Sequence, residues 1–523
     1  MKKNRMIALG VLIALSGISS IVFGAKDDAR GAYFSKKSYV DEPIPGFADS
    51  KKLLPVPVLE ANPELVELYW ATWQIGFKNF KKPEPASGFV SNFIDEGFSP
   101  KIFQWDTIFM VMFARYGFNA FPAIQSLDNF YIKQHADGFI CREIKESDGK
   151  DFHKESEGES VNPPLFSWAE MENYRVTGDK SRMAMVFPVL EKYTAWLETG
   201  RKRPNTAHGL YWNNPLGSGM DNTPRRGSGW VDMSSQMVIQ YNDLAAMSAE
   251  LGKQDKAAQY RSRAEEIGKL INKWMWNESD GLYYDVDDQG RQNKWKTAGC
   301  FWPMLAGITS PAQEQRLMQN LKDQKSFWRQ NVFPTLAADQ KHYDPTGRYW
   351  RGGVWAPTNY AIIRGLSLRG HDDLAREAAQ KYLGQVDEVF KRDHTVYELY
   401  APDMAEPGTN VLGKLDKNRA RPDFVGWTGL GPIAMLIENI IGLRADAPHN
   451  RLVWHLDRID RFGMENFSFG NVLVSLTCEK RDSLKAPAKI TINSDKPFEL
   501  VLVKDGAEKK FSITPGKQSL VME

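Results

Sequence analysis

The sequence predicts a mainly α-helical fold built from antiparallel helix pairs, with a small antiparallel β domain at its C-terminal end. Three observations carry this. Apolar residues recur at three- and four-residue steps from Pro63 to about residue 442, beginning with Leu65, Leu68, Tyr69, Trp73 and Phe80. Tight and long connections alternate through that span. From about residue 450 the chain changes to short β-prone runs separated by turn formers.

The N-terminus reads as a leader. Lys2, Lys3, Asn4 and Arg5 make a basic start, Met6 to Phe23 is apolar, and Val22-Phe23-Gly24 suits a signal peptidase. Residues 1–24 are therefore expected to be a signal peptide, and the protein to be exported to the periplasm without stable membrane insertion. A retained anchor is the alternative, because the apolar run is near spanning length. Residues 25–62 are polar, with Pro43, Pro45, Pro55 and Pro57, and read as an extended arm packed on the main domain.

The helical domain is expected over residues 63–445. Pro63 fits a first helical position. The tight connections run through Gly117, Gly178, Gly252, Gly307 and Gly370, each where a left-handed cap would end a helix. Capping residues such as Asp179, Ser310 and Asp372 follow. The long connections fall at about residues 81–104, 135–164, 199–231, 277–295, 323–355 and 392–422. This makes about twelve helices in hairpins, repeating weakly every 60–70 residues or so. In antiparallel helices alternate connections emerge at the same end, so all the long loops share one end. A closed array is an α/α toroid with those loops around its mouth; an open superhelix is the structural alternative. Residues 446–523 are expected to form a β-sandwich-like domain without chemistry of its own.

Composition excludes several classes. The 523-residue chain carries a net charge of +2, which implies no strong attraction to nucleic acid. Cys141, Cys300 and Cys478 give neither a disulfide framework nor metal-ligand spacing, so no metal or cofactor is expected from the residues. The 16 Trp, 18 Tyr and 28 Phe often stand beside polar residues, which suits a partly wet pocket.

The unusual residues all fall on the long-loop face. They are Gln104-Trp105-Asp106-Thr107, Asp137 to Arg142, Asn162-Pro163-Pro164, Gly217 to Arg225, Trp230-Val231-Asp232, Tyr349 to Trp355, Thr395 to Tyr400 and Asp423 to Gly429. Acids, Arg and Trp converging on one rim suggest a sugar site. Glycoside hydrolysis needs two carboxyls, one protonated to assist the leaving oxygen and one ionised to attack carbon or activate water. Asp221 in Gly217-Ser218-Gly219-Met220-Asp221-Asn222-Thr223-Pro224-Arg225 is the candidate acid. Glu398, within Val396-Tyr397-Glu398-Leu399-Tyr400, is the candidate second carboxylate.

These stretches resemble the motifs of glycoside hydrolase family 63 and its mannosylglycerate hydrolase-like relatives, which share a clan with the family 37 trehalases. They come in the family's order over about residues 65–440. The resemblance implies an (α/α)6 barrel, a six-hairpin toroid. It also implies an inverting, exo-acting hydrolase that cleaves an α-linked gluco- or manno-configured sugar from an oligosaccharide or glycoside. Asp221 would be the general acid and Glu398 the general base. Trp105, Asp106, Trp350, Arg351 and Trp427 would line the non-reducing-end subsite, with Arg142 and Arg225 also at the substrate. Some relatives hold a structural Ca2+, for which no ligands can be assigned here. Two departures stand out. Asn222 follows the acid where relatives often have another acidic residue, and residues 401–407 depart from the usual pattern, which makes Glu406 a lesser candidate base. Inversion would place the carboxyls roughly 6.5–9.5 Å apart. The rivals are a polysaccharide lyase or unsaturated-uronyl hydrolase on a similar toroid, and a non-catalytic glycan-binding protein.

Overall fold

A computed structural model describes residues 30–410 and 419–523. The expected signal peptide, residues 1–24, lies outside the described residues. Among the described residues no helix is long and apolar enough to cross a membrane.

The helices follow the predicted periodicity. They are Pro63–Lys78 (α1), Gln104–Ala114 (α2), Phe166–Thr177 (α3), Lys180–Gly200 (α4), Val231–Glu250 (α5), Gln254–Trp274 (α6), Pro311–Leu321 (α7), Ala356–Leu368 (α8), Asp372–Asp393 (α9) and the π-helix Gly431–Ile441 (α10). Helical turns at Asp128–Tyr131 and Trp302–Leu305 fall at two further expected positions. The caps are those the sequence offers. Gly178 (φ +66°) ends α3, and the Asp179 carboxylate accepts hydrogen bonds from Ser181 N and Arg182 N, each at 3.0 Å. Ser310 and Gln313 close a capping box on α7.

Two kinds of helix alternate. Every residue of α2 is buried, as are residues 356–367 of α8. By contrast α6 buries only Ala257, Ala264, Ile267, Gly268 and Ile271, a narrow stripe against α5. The buried helices pack in sequence order: α2 on α3, α3 on α5, α5 on Trp302–Leu305, and that turn on α8. The 3₁₀ turn Thr428–Leu430, which leads into α10, touches both α8 and α2.

Two sheets cover the tight-turn end. One joins Val56–Leu59, Phe462–Phe469, Val472–Cys478, Ala488–Ser494 and Gly516–Met522, all antiparallel. The other joins Leu443–Asp446, Arg451–His455, Phe498–Lys504 and Ala507–Ile513. Trp454 against Phe462 (ring centroids 5.4 Å apart) and Phe469 against Phe498 (5.4 Å) link the two. Two features depart from expectation. The N-terminal arm contributes an edge strand, Val56–Leu59. Arg451–His455 runs parallel to Phe498–Lys504, because the intervening chain first builds three strands of the other sheet before returning. Asn119 Nδ2 donates to Ser468 Oγ (2.9 Å) and Gly470 N to Val176 O (2.7 Å), so the sheets lean on the α2 and α3 C-termini. The long-loop end is left open.

Candidate active site

At that open end lies a cavity of about 290 Å3. Its lining comes from separate long loops and helix starts, and seven of the nine sequence-predicted residues are in it: Trp105, Asp106, Arg142, Asp221, Trp350, Glu398 and Trp427.

Trp105 and Asp106 are placed by the first turn of α2. The strand Lys101–Phe103 leads into it and pairs antiparallel with the later strand Glu143–Lys145, and Gln104 N donates to Arg142 O (2.8 Å). Arg142 and Glu143 are thereby held beside the helix start. The Asp221 loop lies on the Trp105 indole. Gly219 has φ +77°, and a Cβ there would stand 2.9 Å from Trp105 Cε2, so glycine is required on both conformational and steric grounds. Gly217 N donates to Asn214 Oδ1 (2.7 Å), and Thr223 N to Met220 O (3.0 Å), closing the turns on either side.

Asn222, the departure from the family pattern, has a structural task. Its amide donates to Arg348 O (3.1 Å) and accepts from Trp350 N (2.8 Å). This pins a strained segment, in which Arg348 and Tyr349 have φ +34° and +66°. Tyr349 Oη then lies 3.4 Å from Asp221 Oδ2, as a donor. Trp350 stacks on Trp355 with centroids 3.9 Å apart and 4° between planes, and Trp355 meets Trp427 edge-on.

Glu398 enters from the last long loop. Its backbone is tied on both sides: Glu398 N donates to Arg421 O (3.0 Å), and Trp427 Nε1 donates to Glu398 O (2.9 Å). Its carboxylate accepts from Arg421 Nη1 through Oε1 (2.8 Å), while Oε2 is buried with no protein partner. The indole Nε1 groups of Trp105 and Trp350 and Asp106 Oδ1 are likewise buried and unpaired. The cavity thus has unsatisfied donors and acceptors beside aromatic rings, a pattern suited to hydroxyl-rich ligands.

Burial governs the titration of the three acids. It lifts Asp221 from 3.8 to about 6, against the pull of Arg142 and the Tyr349 hydrogen bond. It lifts Glu398 from 4.5 to about 7; Arg421 opposes this and the Asp221 charge adds to it. Asp106 is raised by burial and then by repulsion from Glu398 and Asp221. Asp221 is only half-buried by solvent exposure, whereas Glu398 is 1% exposed. The acids therefore sense one another and hold protons near neutral pH.

Two expected residues lie elsewhere. Arg225 does not face the cavity. It is 3% exposed and its guanidinium is spent on two carboxylates, with Nη2 2.9 Å from Asp232 Oδ1 and Nε 2.7 Å from Asp285 Oδ2. It buttresses the loop from behind. Arg351 is also outside the lining; its Nε reaches Asn222 O at 3.4 Å. The lesser candidate Glu406 is half-exposed and ion-paired with Arg392 (2.8 Å) and Arg419 (3.4 Å), away from the cavity. Conversely, Lys101, Glu143, Phe152, His153 and Arg421 line the cavity without having been singled out. They are ordinary residue types in loops and short strands, and only Glu143, adjacent to Arg142, had a sequence neighbour to draw attention to it.

Among the described residues two groups bring metal-ligand atoms within 4.8 Å of one another: His135 with Asp137 and Glu155, and His153 with Glu157 and Glu159. Each contains an imidazole, which suits a transition metal better than the all-oxygen shell Ca2+ prefers. Neither includes Asp221 or Glu398.

Residues 99–414 match the family model described as a mannosylglycerate hydrolase MGH1-like glycoside hydrolase domain. The chain is 26% identical over 417 residues to an uncharacterized protein of Borreliella burgdorferi, covering 79% of this chain and 86% of that one. It is 28% identical over 209 residues to a periplasmic trehalase of Xanthomonas axonopodis pv. citri, which is 40% of this chain and about a third (34%) of the trehalase. In structure it is similar to the family 63 mannosylglycerate hydrolase from Thermus thermophilus, solved in complex with glucose. There the TM-score is 0.55 at 19% identity over 70% of this chain and 98% of that one.

Proposed function

The chain belongs to the mannosylglycerate hydrolase MGH1-like glycoside hydrolases, and from that premise we propose an inverting, exo-acting hydrolysis of an α-linked gluco- or manno-configured sugar. That it is a glycoside hydrolase follows from the family. The remainder rests on one observation: Asp221 and Glu398, from loops far apart in sequence, line a single cavity with Trp105, Trp350 and Trp427. A cavity at the small end of ligand-pocket sizes, backed by stacked indoles, favours one terminal sugar over the middle of a chain.

In this reading the terminal sugar sits against the indoles, and Asp106 and the unpaired Trp105 and Trp350 N–H groups take its hydroxyls. Asp221 donates its proton to the glycosidic oxygen. Glu398, ionised and anchored by Arg421, takes a proton from water, which attacks the anomeric carbon from the opposite face. The leaving group departs as an alcohol and the released sugar has inverted configuration.

Burial by the protein alone orders the two acids against these roles, with Glu398 at about 7 and Asp221 at about 6. Between those values the pair holds one proton, which favours Glu398 over Asp221. Substrate binding corrects the order. Asp221 is still reached by water, so a sugar filling the cavity desolvates it further and raises its affinity for the proton, while Glu398 keeps its guanidinium.

The ring of packed buried helices, closed by Thr428–Leu430 on α2, supports an (α/α)6 barrel as the scaffold. The basic start and apolar run of residues 2–23 support export to the periplasm.

The deciding experiment follows the anomer first released from α-glucosides and α-mannosides by proton NMR. The β anomer is expected; initial release of the α anomer would exclude inversion. Asp221→Asn is expected to lose about 10²–10⁴-fold in kcat on substrates with poor leaving groups and much less on a glycosyl fluoride, whose fluoride needs little protonation. Equal losses on both would remove Asp221 from the acid role.

A further inference from the structure

Away from the active site, where the buried helices meet the C-terminal sheets, a second cavity of about 20 Å3 is walled by four arginines. Arg115 follows α2, Arg175 lies on α3, Arg364 on α8 and Arg444 on the strand Leu443–Asp446. Only two carboxylates share the lining, Glu172 and Glu438. Arg115 and Arg364 are 3% and 8% exposed.

The carboxylates are heavily shared. Glu172 takes Arg364 Nη2 (3.1 Å), Arg115 Nη2 (3.3 Å) and Arg175 Nη1. Burial alone would raise it, but Arg364, Arg175 and Arg115 together hold it well below the usual carboxylate range. Glu438 serves Arg115 Nη2 (2.7 Å) and the hydroxyls of Tyr116 (2.9 Å) and Tyr360 (3.0 Å). Arg444 leans outward to Asp372. Even so, the Nε hydrogens of Arg115, Arg364 and Arg444 are buried and donate to no described group. Buried guanidinium donors without acceptors are costly, and each such case needs a partner.

We propose that this cavity binds one monatomic anion, chloride in practice, between Arg115, Arg364 and Arg444. The volume admits about one water-sized sphere, so phosphate, sulfate and organic acids do not fit. A water could accept hydrogen bonds there, but with Glu172, Glu438 and Asp372 set against four guanidiniums it would leave one positive charge over. The bound anion ties the C-terminal end of α2 and α8 to the second sheet and so acts on stability, at the opposite end of the helices from the chemistry.

The test compares the whole protein in sodium chloride, sodium bromide and sodium gluconate at equal ionic strength. The halides are expected to raise the thermal midpoint by about 2 °C or more over gluconate. Crystals soaked in bromide are expected to show an anomalous peak inside this cavity. Arg444→Gln, at the cavity mouth and outside the active site, is expected to fold, keep its hydrolase activity and lose both effects. Equal midpoints in all three salts, or bromide crystals without a peak there, overturn the proposal. So does a halide effect that persists unchanged in Arg444→Gln, which would mark it as general surface screening.

Discussion

Replacing Glu398 by Gln should remove one part of this protein's dependence of stability on pH as well as abolish turnover. Glu398 is 1% exposed, and burial raises it from 4.5 to about 7. Its folded-state value lies above its unfolded value. Its contribution is therefore intact below about 4.5 and is lost as pH rises through about 7. At 1.36 kcal/mol for each tenfold change in proton affinity, ionising it in place costs about 3 kcal/mol at pH 8. The Gln variant keeps the shape, cannot ionise and escapes that cost. The difference in unfolding free energy, variant minus wild type, should move by about 3 kcal/mol in favour of the variant between pH 4.5 and pH 8. Urea unfolding of both proteins at those two pH values, followed by fluorescence and far-UV dichroism together, measures it. Asp106 and Asp221 contribute slopes of the same sign but are present in both proteins, so to first order they cancel in the difference. A difference that stays within about 1 kcal/mol across the range would show that Glu398 is not held near neutrality, and the electrostatic account of the site would fall.

Other expectations follow from the same contacts. The pH profile of kcat/KM should be bell-shaped with limbs near 6 and 7, and Arg421→Gln should shift that profile upward and lower the rate at pH 6.5 about tenfold, since Arg421 is what opposes Glu398 protonation. Titration of kcat/KM in both proteins checks this, and an unmoved profile would refute it. Gly219→Ala should cost about 1–3 kcal/mol in stability and raise KM, because the new Cβ meets Trp105 at 2.9 Å in a left-handed backbone; thermal unfolding and steady-state kinetics report the two effects. Arg225→Ala should destabilise by about 3–5 kcal/mol, leaving Asp232 and Asp285 buried without their cation. Its residual folded fraction should keep a near-normal KM, whereas a selective rise in KM without loss of stability would return Arg225 to the substrate.

Helix order, the alternation of tight and long connections, and the change to strands near residue 450 were all legible along the chain, whereas the earlier strand Leu443–Asp446 was not. These are local properties: apolar period, Gly178-type stops and Asp179- or Ser310-type caps act within a few residues. The sequence also singled out Asp221 and Glu398 as candidate carboxyls, through motifs that need only their own neighbours to be recognised, and both line the cavity. Tertiary structure decided which cations accompany them. Arg225 stands in the acid motif yet turns away, because two buried aspartates from other elements outcompete the cavity for its guanidinium. Arg421, anonymous in sequence, becomes the partner of Glu398 because the loop segments carrying them are joined by a Glu398 N to Arg421 O hydrogen bond. The arm strand Val56–Leu59 and the parallel pair of the second sheet were hidden for the same reason, since their partners lie about 400 and 50 residues away, respectively. Periodicity and caps are written along the chain; the pairing of charges and of distant strands is decided only when burial makes them compete for the same space.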